Sequence, residues 1–482
     1  MINWIIFILA SAVLISVGVW SNQRIKKARK TGEGFLLGGK QIGAFVGAGT
    51  LMATGYSGWG FIGSPGTAYA YGTIEVLANF FFAPAIVFGT LWFAGFMRRQ
   101  ADKCGGLTVP EYLTVTHRGS DTLRRTVHFI AGTATFVFLS VYMIGQIRAV
   151  GLVASEWLGI SEILASALLM AVIVVFTMQG GLLAVAVTDT IMCIGMLVAS
   201  IIVYVTIIRD IPMMELISAV GKLNSEFINP TTSVPYGNGM FSVFLVFIYA
   251  LLFTTTLPYM SVRFLSFKED IKIHTMALIM APMGFILSLI PLVGIYMYYK
   301  NPNLANPDSA MPVFLNTFLP PFLTGFITLF ILFAMLSTIS SVLQALASAL
   351  SYDMFVSIAN RNSNRGDLIN RIGVLVIAIW VMFLTFMAPQ GMLNQIAYIG
   401  TGGLISAFVG PIIMRVFVEA DLRACLASLL VGFFGNVFLV FKMQVGWVEA
   451  PIIAGLAGSV VYLIMGYINN GGARKPKDLI IN

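Results

Sequence analysis

The chain has 482 residues, of which 58% are hydrophobic and only 10% charged, with a mean hydropathy of +0.91. A soluble domain carries about 25% charged residues, so a soluble globular protein is excluded. Cys104, Cys193 and Cys425 are too scattered to imply a disulfide or metal framework. The formal net charge of +8 therefore has to be read against a membrane topology, and it does not imply nucleic-acid binding.

Each crossing needs an apolar run of roughly 20 residues. Thirteen such runs are predicted, approximately at 2–20, 42–66, 72–97, 126–155, 161–178, 183–207, 240–262, 274–299, 320–352, 372–389, 393–414, 424–441 and 451–468. The first lacks a charged leader region and a clear cleavage site, so it reads as a retained helix. If the loop after it is cytoplasmic, 23 Lys and Arg residues fall inside, including Arg24, Arg98, Arg99, Arg263, Lys268 and Arg361. Four fall outside (Arg209, Lys222, Lys300 and Lys442), and Arg148 alone lies within a span. This bias predicts an outer N-terminus and a cytoplasmic C-terminus in a plasma (inner) membrane.

The second predicted span is interrupted. Residues 49–66 hold six glycines, Pro65 and several hydroxyls. Glycine and proline are poor helix interiors, and lipid cannot satisfy the backbone groups they release. Such a stretch survives at membrane depth only against protein or a wet cavity, which is how secondary transporters build ion and substrate sites. Next along the chain, the inner loop 98–125 carries a helix expected to start after a Thr108 cap, and the outer loop 208–239 is expected to hold short surface helices. The seventh span is interrupted in turn by Pro258 after Thr254, Thr255 and Thr256. Spans two to six and seven to eleven are each five crossings, an odd number, so the second set runs inverted relative to the first. Paired interruptions in corresponding positions point to a midplane binding site.

The organisation expected is a first transmembrane helix and cytoplasmic loop at 1–41, a five-helix repeat at 42–207 and an external loop at 208–239. A second, inverted five-helix repeat follows at 240–418, then two C-terminal transmembrane helices at 419–470 and a cytoplasmic tail at 471–482.

Polar residues inside spans carry the functional expectations. Ser337, Ser340 and Ser341 share one helix face at i, i+3, i+4, with Thr338 on the flank. Hydroxyls there, with carbonyls freed by the broken helix, suit a small hard cation such as Na⁺; packing between helices is the competing reading. Asp189 lies about six residues in from the cytoplasmic edge, roughly 9 Å deep. Two readings stand for it: a partner for a passing cation, or a carboxylate turned back to the inner surface. Arg148 needs an anion, either a substrate carboxylate held bidentately or a fixed carboxylate such as Glu75, which is expected near the outer vestibule. No nucleophile–base pair, metal-ligand cluster or phosphate loop is present, so the sequence makes no case for an enzyme.

Together these residues resemble the sodium:solute symporter family along nearly the whole chain. The resemblance is carried by Ser57-Gly58-Trp59, Gly63-Ser64-Pro65-Gly66, Gly180-Gly181-Leu182 through Thr188-Asp189, Leu257-Pro258 with Val262-Arg263, and Ser337-Thr338. Within the family, Leu257-Pro258 with Val262-Arg263 and Ser266, Leu319-Pro320-Pro321-Phe322 and Gly402-Gly403-Leu404 look most like pantothenate permeases. Tyr142 with Gln146 also looks like acetate-type members. The resemblance implies an all-α membrane protein with a LeuT-type 5+5 inverted-repeat core, flanking helices and Na⁺-driven alternating access. It implies a main sodium site at the carbonyls of Ala53, Tyr56 and Ala334 with the hydroxyls of Ser337 and Thr338. A second sodium is expected between Asp189, Ser340 and Ser341. The substrate is expected near Gly55, Ser57, Gly60, Asn79 and Gln146, with Phe253 as an inner gate; Arg148 joins this set on physical grounds alone. Gly55 stands where proline-type members have an aspartate, and Gly60 and Ala250 stand where sugar-type members have polar side chains. The implied partners are Na⁺, a small-molecule solute, preferably a carboxylate, and the lipid bilayer; no transition metal, nucleic acid or obligate protein partner is implied. Carriers of an amino acid or other polar solute on the same fold remain open, as does a substrate-sensing receptor that has lost transport.

Overall fold

The computed structural model describes residues 2–27, 33–355, 366–388 and 393–470. The expected tail 471–482 and Arg361 lie outside the described residues. Regular structure among the described residues is helical, apart from two isolated backbone bridges, Ile42 with Phe267 and Arg118 with Asp421. By length and hydropathy ten helices could each cross a membrane, or eleven if the bent pair around Pro258 is one span. Thirteen crossings were expected, and the shortfall lies in two places. Helix α1 is Ile2–Lys27. The second predicted span is split into α2, Ala44–Gly55, and α3, Ser64–Tyr71, each too short to count alone. After α4 (Thr73–Cys104), α5 (Val109–Thr116) and α6 (Asp121–Leu158) comes a single 49-residue helix, α7, Glu162–Asp210.

A straight 49-residue helix would be about 74 Å long at 1.5 Å per residue, more than twice the roughly 30 Å of hydrocarbon. It is not straight: Gly181 inside it has φ +51° and ψ −147°. That conformation suits glycine, and a Cβ there would lie 2.3 Å from the Phe35 carbonyl oxygen. The sequence Gly180-Gly181 is thus the turn between the fifth and sixth predicted runs.

The second half opens with α8, Leu245–Thr256, and α9, Pro258–Leu265, bent by 56° at Leu257. Pro258 sits at the first position of α9, where its missing N–H removes no helical bond. Then come α10 (Ile273–Leu287), α11 (Leu292–Lys300), α12 (Pro321–Ser348), α13 (Gly366–Met387), α14 (Leu393–Ile413), α15 (Leu422–Val437) and α16 (Glu449–Asn470). The loop expected to hold surface helices contains one at Met213–Leu223. The Thr108 hydroxyl caps α5 by accepting the Glu111 N–H at 3.1 Å, and Glu111 in return accepts the Leu107 N–H at 2.7 Å.

Burial separates centre from rim. In α12 and α14, 89% of the most apolar window is buried, against 22% in α1 and 33% in α15. One end of the bundle gathers basic groups: Lys40 pairs with Asp102 at 2.8 Å, and Arg98 donates to the carbonyls of Lys268 and Glu269 at 2.8 Å each. At this basic end the start of the first broken helix meets the finish of the second, because the Lys268 N–H donates to Ile42 O at 3.0 Å. The two broken helices therefore run in opposite directions past the centre, which is what an inverted pair of repeats requires.

Candidate ion and substrate site

Helix α2 stops at Gly55 because Tyr56 leaves helical space, with φ −95° and ψ 84°. The carbonyls one turn back lose their partners, and α12 supplies replacements. The Ser337 hydroxyl donates to Ala53 O at 3.1 Å and to Ala334 O at 2.9 Å. The Thr338 hydroxyl donates to Thr54 O at 3.2 Å and lies 3.5 Å from Ala334 O. All of these residues are fully buried. The structure thus brings together Ala53, Ala334, Ser337 and Thr338, and adds Thr54. Every contacting atom is an oxygen, and no formal charge is among them. Tyr56 is present at the break through its ring, which stacks on Trp59 at 6.2 Å, and through its hydroxyl, 2.8 Å from Ser288 Oγ.

One turn further along α12 the chemistry changes. Arg263, counted with the cytoplasmic loops in the sequence, is fully buried, because the bend at Leu257 turns α9 and its guanidinium into the protein. Its Nη2 donates to Asp189 Oδ2 at 2.9 Å, Ser341 Oγ at 2.7 Å and Thr54 Oγ1 at 2.6 Å. Its Nε donates to Thr50 Oγ1 at 2.7 Å, and Nη1 to the Tyr259 carbonyl. Thr50 in turn donates to Asp189 Oδ2 at 2.6 Å. Asp189 and Ser341, expected to hold a second sodium, do face a cation, and that cation is Arg263. Ser340 does not join them: its hydroxyl bonds Ser337 O at 2.9 Å on its own helix.

Between the broken helices and α14 lies a small cavity. Trp59, Phe82, Tyr142, Tyr249, Phe253 and Tyr398 line it, together with Asn394 and Thr401. Trp59 meets Phe82 edge-on at 4.8 Å, and Phe82 meets Phe253 at 5.5 Å. At its edge Ser57 Oγ lies 3.1 Å from the Tyr142 hydroxyl, and the Gly58 N–H donates to Gln146 Oε1 at 3.0 Å. Ser57, Gln146 and Phe253 are therefore grouped as expected from the sequence. Gly60 packs on the Tyr56 ring, and Gly55 faces Ile86 on α4.

Two expected substrate residues lie elsewhere. Asn79 donates to Glu75 Oε1 and to Ser64 Oγ, both at 2.8 Å. Glu75 is itself fully buried, with its oxygens also taken by the hydroxyls of Ser64 and Tyr236, so it does not reach an outer vestibule. Arg148 pairs with neither a substrate pocket nor Glu75. Its guanidinium donates to the carbonyls of Thr385, at 3.3 Å, and Ala388, at the last turn of α13. Those carbonyls are the partially negative end of a helix, and the Glu162 carboxylate adds a further electrostatic attraction to the Arg148 guanidinium.

A model of the sodium:solute symporter family matches residues 35–432. The chain belongs to the sodium:solute symporter family. Among its relatives, the sodium/pantothenate symporter of Haemophilus influenzae is 27% identical over 429 residues, covering 85% of this chain and 84% of that protein. Solute carrier family 5 member 4A of Mus musculus is 26% identical over 236 residues, 49% of this chain. The match spans only 33% of that relative's length. A solved Na⁺-coupled sialic acid symporter, in a substrate-bound outward-open state, superposes with a TM-score of 0.77 and covers 99% of both chains. At 18% identity this likeness concerns the fold, which is of the LeuT type.

In this family member the residues missed by sequence reading are Thr50, Thr54, Tyr249, Tyr398, Asn394 and Arg263 as a core group. Thr50 and Thr54 carried a usable signal, since they sit at i and i+4 on one face of α2. Tyr249 and Tyr398 carried none, because aromatic residues are ordinary in apolar helices.

Proposed function

We propose that this chain is a Na⁺-coupled symporter that imports a small organic solute by alternating access. The observation that carries the reading is the convergence of the Ser337 and Thr338 hydroxyls on carbonyls released by the break in α2. Five uncharged oxygens, from Ala53, Thr54, Ala334, Ser337 and Thr338, form a donor set suited to a hard monovalent cation, since hard ions take oxygen ligands. The Tyr56 carbonyl completes the set when the hydroxyls turn from their present acceptors to the ion. The repeats 42–207 and 240–418 supply the two moving halves. Thirteen crossings follow if α2 with α3 and α8 with α9 each count as one span and α7 as two, and the basic end is then cytoplasmic.

The solute reading is a carboxylate such as pantothenate, and its support is the Haemophilus relative. The cavity's rings suit an apolar body. Arg148 lies away from the cavity, so a carboxylate there would be held by the Ser57 and Tyr142 hydroxyls, and by the Gly58 N–H once Gln146 releases it. The start of a half-helix favours an anionic group in this way. The test is uptake of radiolabelled pantothenate into proteoliposomes under an inward Na⁺ gradient, with proline and acetate alongside. The expected result is accumulation that collapses when K⁺ replaces Na⁺. Accumulation of proline instead would move the substrate reading to amino acids, and uptake indifferent to Na⁺ would end the coupling reading.

A further inference from the structure

Four oxygens from three helices surround the Arg263 guanidinium: Thr50 and Thr54 on α2, Asp189 on α7 and Ser341 on α12, all within 2.9 Å of a guanidinium nitrogen. One carboxylate and three hydroxyls make a cation-binding donor set in their own right. Among the described residues Asp189 Oδ1 is buried without a hydrogen-bond partner, so the carboxylate depends on whatever cation sits at Oδ2. A carboxylate at this depth is costly unless paired, and the pair it makes here is internally neutral. The position lies four residues, about 6 Å, along α12 from Ser337. It borders a second cavity that extends past Ser341, Pro258 and Val262 to Asp353 towards the basic end. Any ion leaving the break in α2 by that route would meet a cage already holding a cation.

We propose that Arg263 is the resident cation of this cage, tethered in the place of a second Na⁺, so that the chain binds one Na⁺ per cycle. The proposal rests on the Na⁺ reading of the Ser337–Thr338 site, and it adds a count. A sodium ion and the guanidinium cannot share these four oxygens, because both are positive and each needs the same Asp189 oxygen and hydroxyl lone pairs. The cage is selective by construction: α9 carries the cation in by its bend, and the hydroxyls of Thr50 and Thr54 each link guanidinium and carboxylate, at 2.6 and 3.1 Å from Asp189 Oδ2. Removing the guanidinium while keeping the carboxylate leaves a vacant, negatively charged oxygen cage of Na⁺ size.

The experiment is equilibrium binding of ²²Na⁺ to the purified full-length chain in detergent. Wild type should saturate at one Na⁺ per chain with a Hill slope of one. Arg263→Met, similar in length and uncharged, should saturate at two with a slope above one, and its melting temperature should rise with Na⁺ more steeply than that of wild type. Arg263→Met combined with Asp189→Asn should return to one. Two Na⁺ per wild-type chain would overturn the proposal, as would a folded Arg263→Met protein that still binds one. If Arg263→Met does not fold, Arg263→Lys decides: one Na⁺ supports the tethered cation, two refutes it. If wild type binds none and Arg263→Met binds one, the tethered cation stands and the Ser337–Thr338 reading fails. If neither binds Na⁺, both fail.

Discussion

Two polar clusters sit one helical turn apart on α12, and they are opposite in kind. Around Ser337 and Thr338 every group is a neutral oxygen, and the hydroxyls spend their protons on carbonyls of α2. Around Ser341 the protein supplies both charges itself, with Asp189 and Arg263 fully buried and in contact. The first cluster carries no formal charge; the second carries one of each sign. Spacing along one helix cannot distinguish them, because Ser337 and Ser341 occupy equivalent positions on the same face. What separates them is which neighbour arrives: a helix end with free carbonyls in one case, and a bent helix carrying a guanidinium in the other.

The largest expected effect breaks the charged cluster. Asp189→Asn leaves Arg263 as an uncompensated buried charge, and removing one member of a buried pair typically costs roughly 3–5 kcal/mol. The thermal melt of the purified protein should fall accordingly, and Asp189→Asn with Arg263→Met should recover most of the loss. A single mutant as stable as wild type would mean that water or another anion reaches the guanidinium.

A buried carboxylate without a guanidinium gives a contrast at the opposite end of the molecule. Asp308, in the loop after α11, accepts the Leu393 N–H at 3.1 Å, and burial pushes its pKa up to about 6. Its folded value lies above its unfolded one, so its contribution favours the fold at low pH. That contribution is complete below about pH 4 and is lost as pH rises through about 6. Melting temperature between pH 4 and 7 should fall less in Asp308→Asn than in wild type. Equal slopes in the two proteins would show that this carboxylate is solvated.

The smallest effect belongs to Arg148. Bonds to the end of α13 are worth about 0.3–1 kcal/mol, up to about 2 in partly buried geometry. Arg148→Gln should therefore lower stability slightly and leave solute affinity within about twofold. A tenfold loss of affinity, roughly 1.4 kcal/mol, would place the guanidinium at the solute after all.

What the sequence made legible follows from chemistry that is local. Both broken helices were readable because Gly55, Gly58 and Pro258 cannot continue a helix cheaply, and the Ser337–Thr338 pair because helical spacing fixes a shared face. The turn at Gly180-Gly181 was readable as a gap between apolar runs, and in the structure the backbone leaves helical space at Gly181. Arg263 was not readable as a core residue. It lies one position beyond the apolar run ending at 262, and only the 56° bend of α9 brings it to Asp189, which is 74 residues away in sequence. Arg148 was legible as a charge needing a partner, but the helix-end carbonyls it meets have no side-chain signature, and the carboxylate that acts on it is Glu162 rather than Glu75. Asn79 was drawn away from the cavity by Glu75, four residues earlier on the same helix face, a pairing that spacing permits but does not require.

The most direct test of the contrast is the Na⁺ concentration for half-maximal solute uptake in proteoliposomes, compared between wild type and Ser337→Ala/Thr338→Ala. Each lost hydroxyl removes a bond to a charged group, roughly 1.5–3 kcal/mol, so half-saturation should rise at least tenfold; the melting temperature measured without Na⁺ should also fall, because the buried Ala53 and Thr54 carbonyls lose their donors. Half-saturation equal to wild type in a folded double mutant would contradict the account, because the neutral cluster on α12 would then not be where the coupling ion binds.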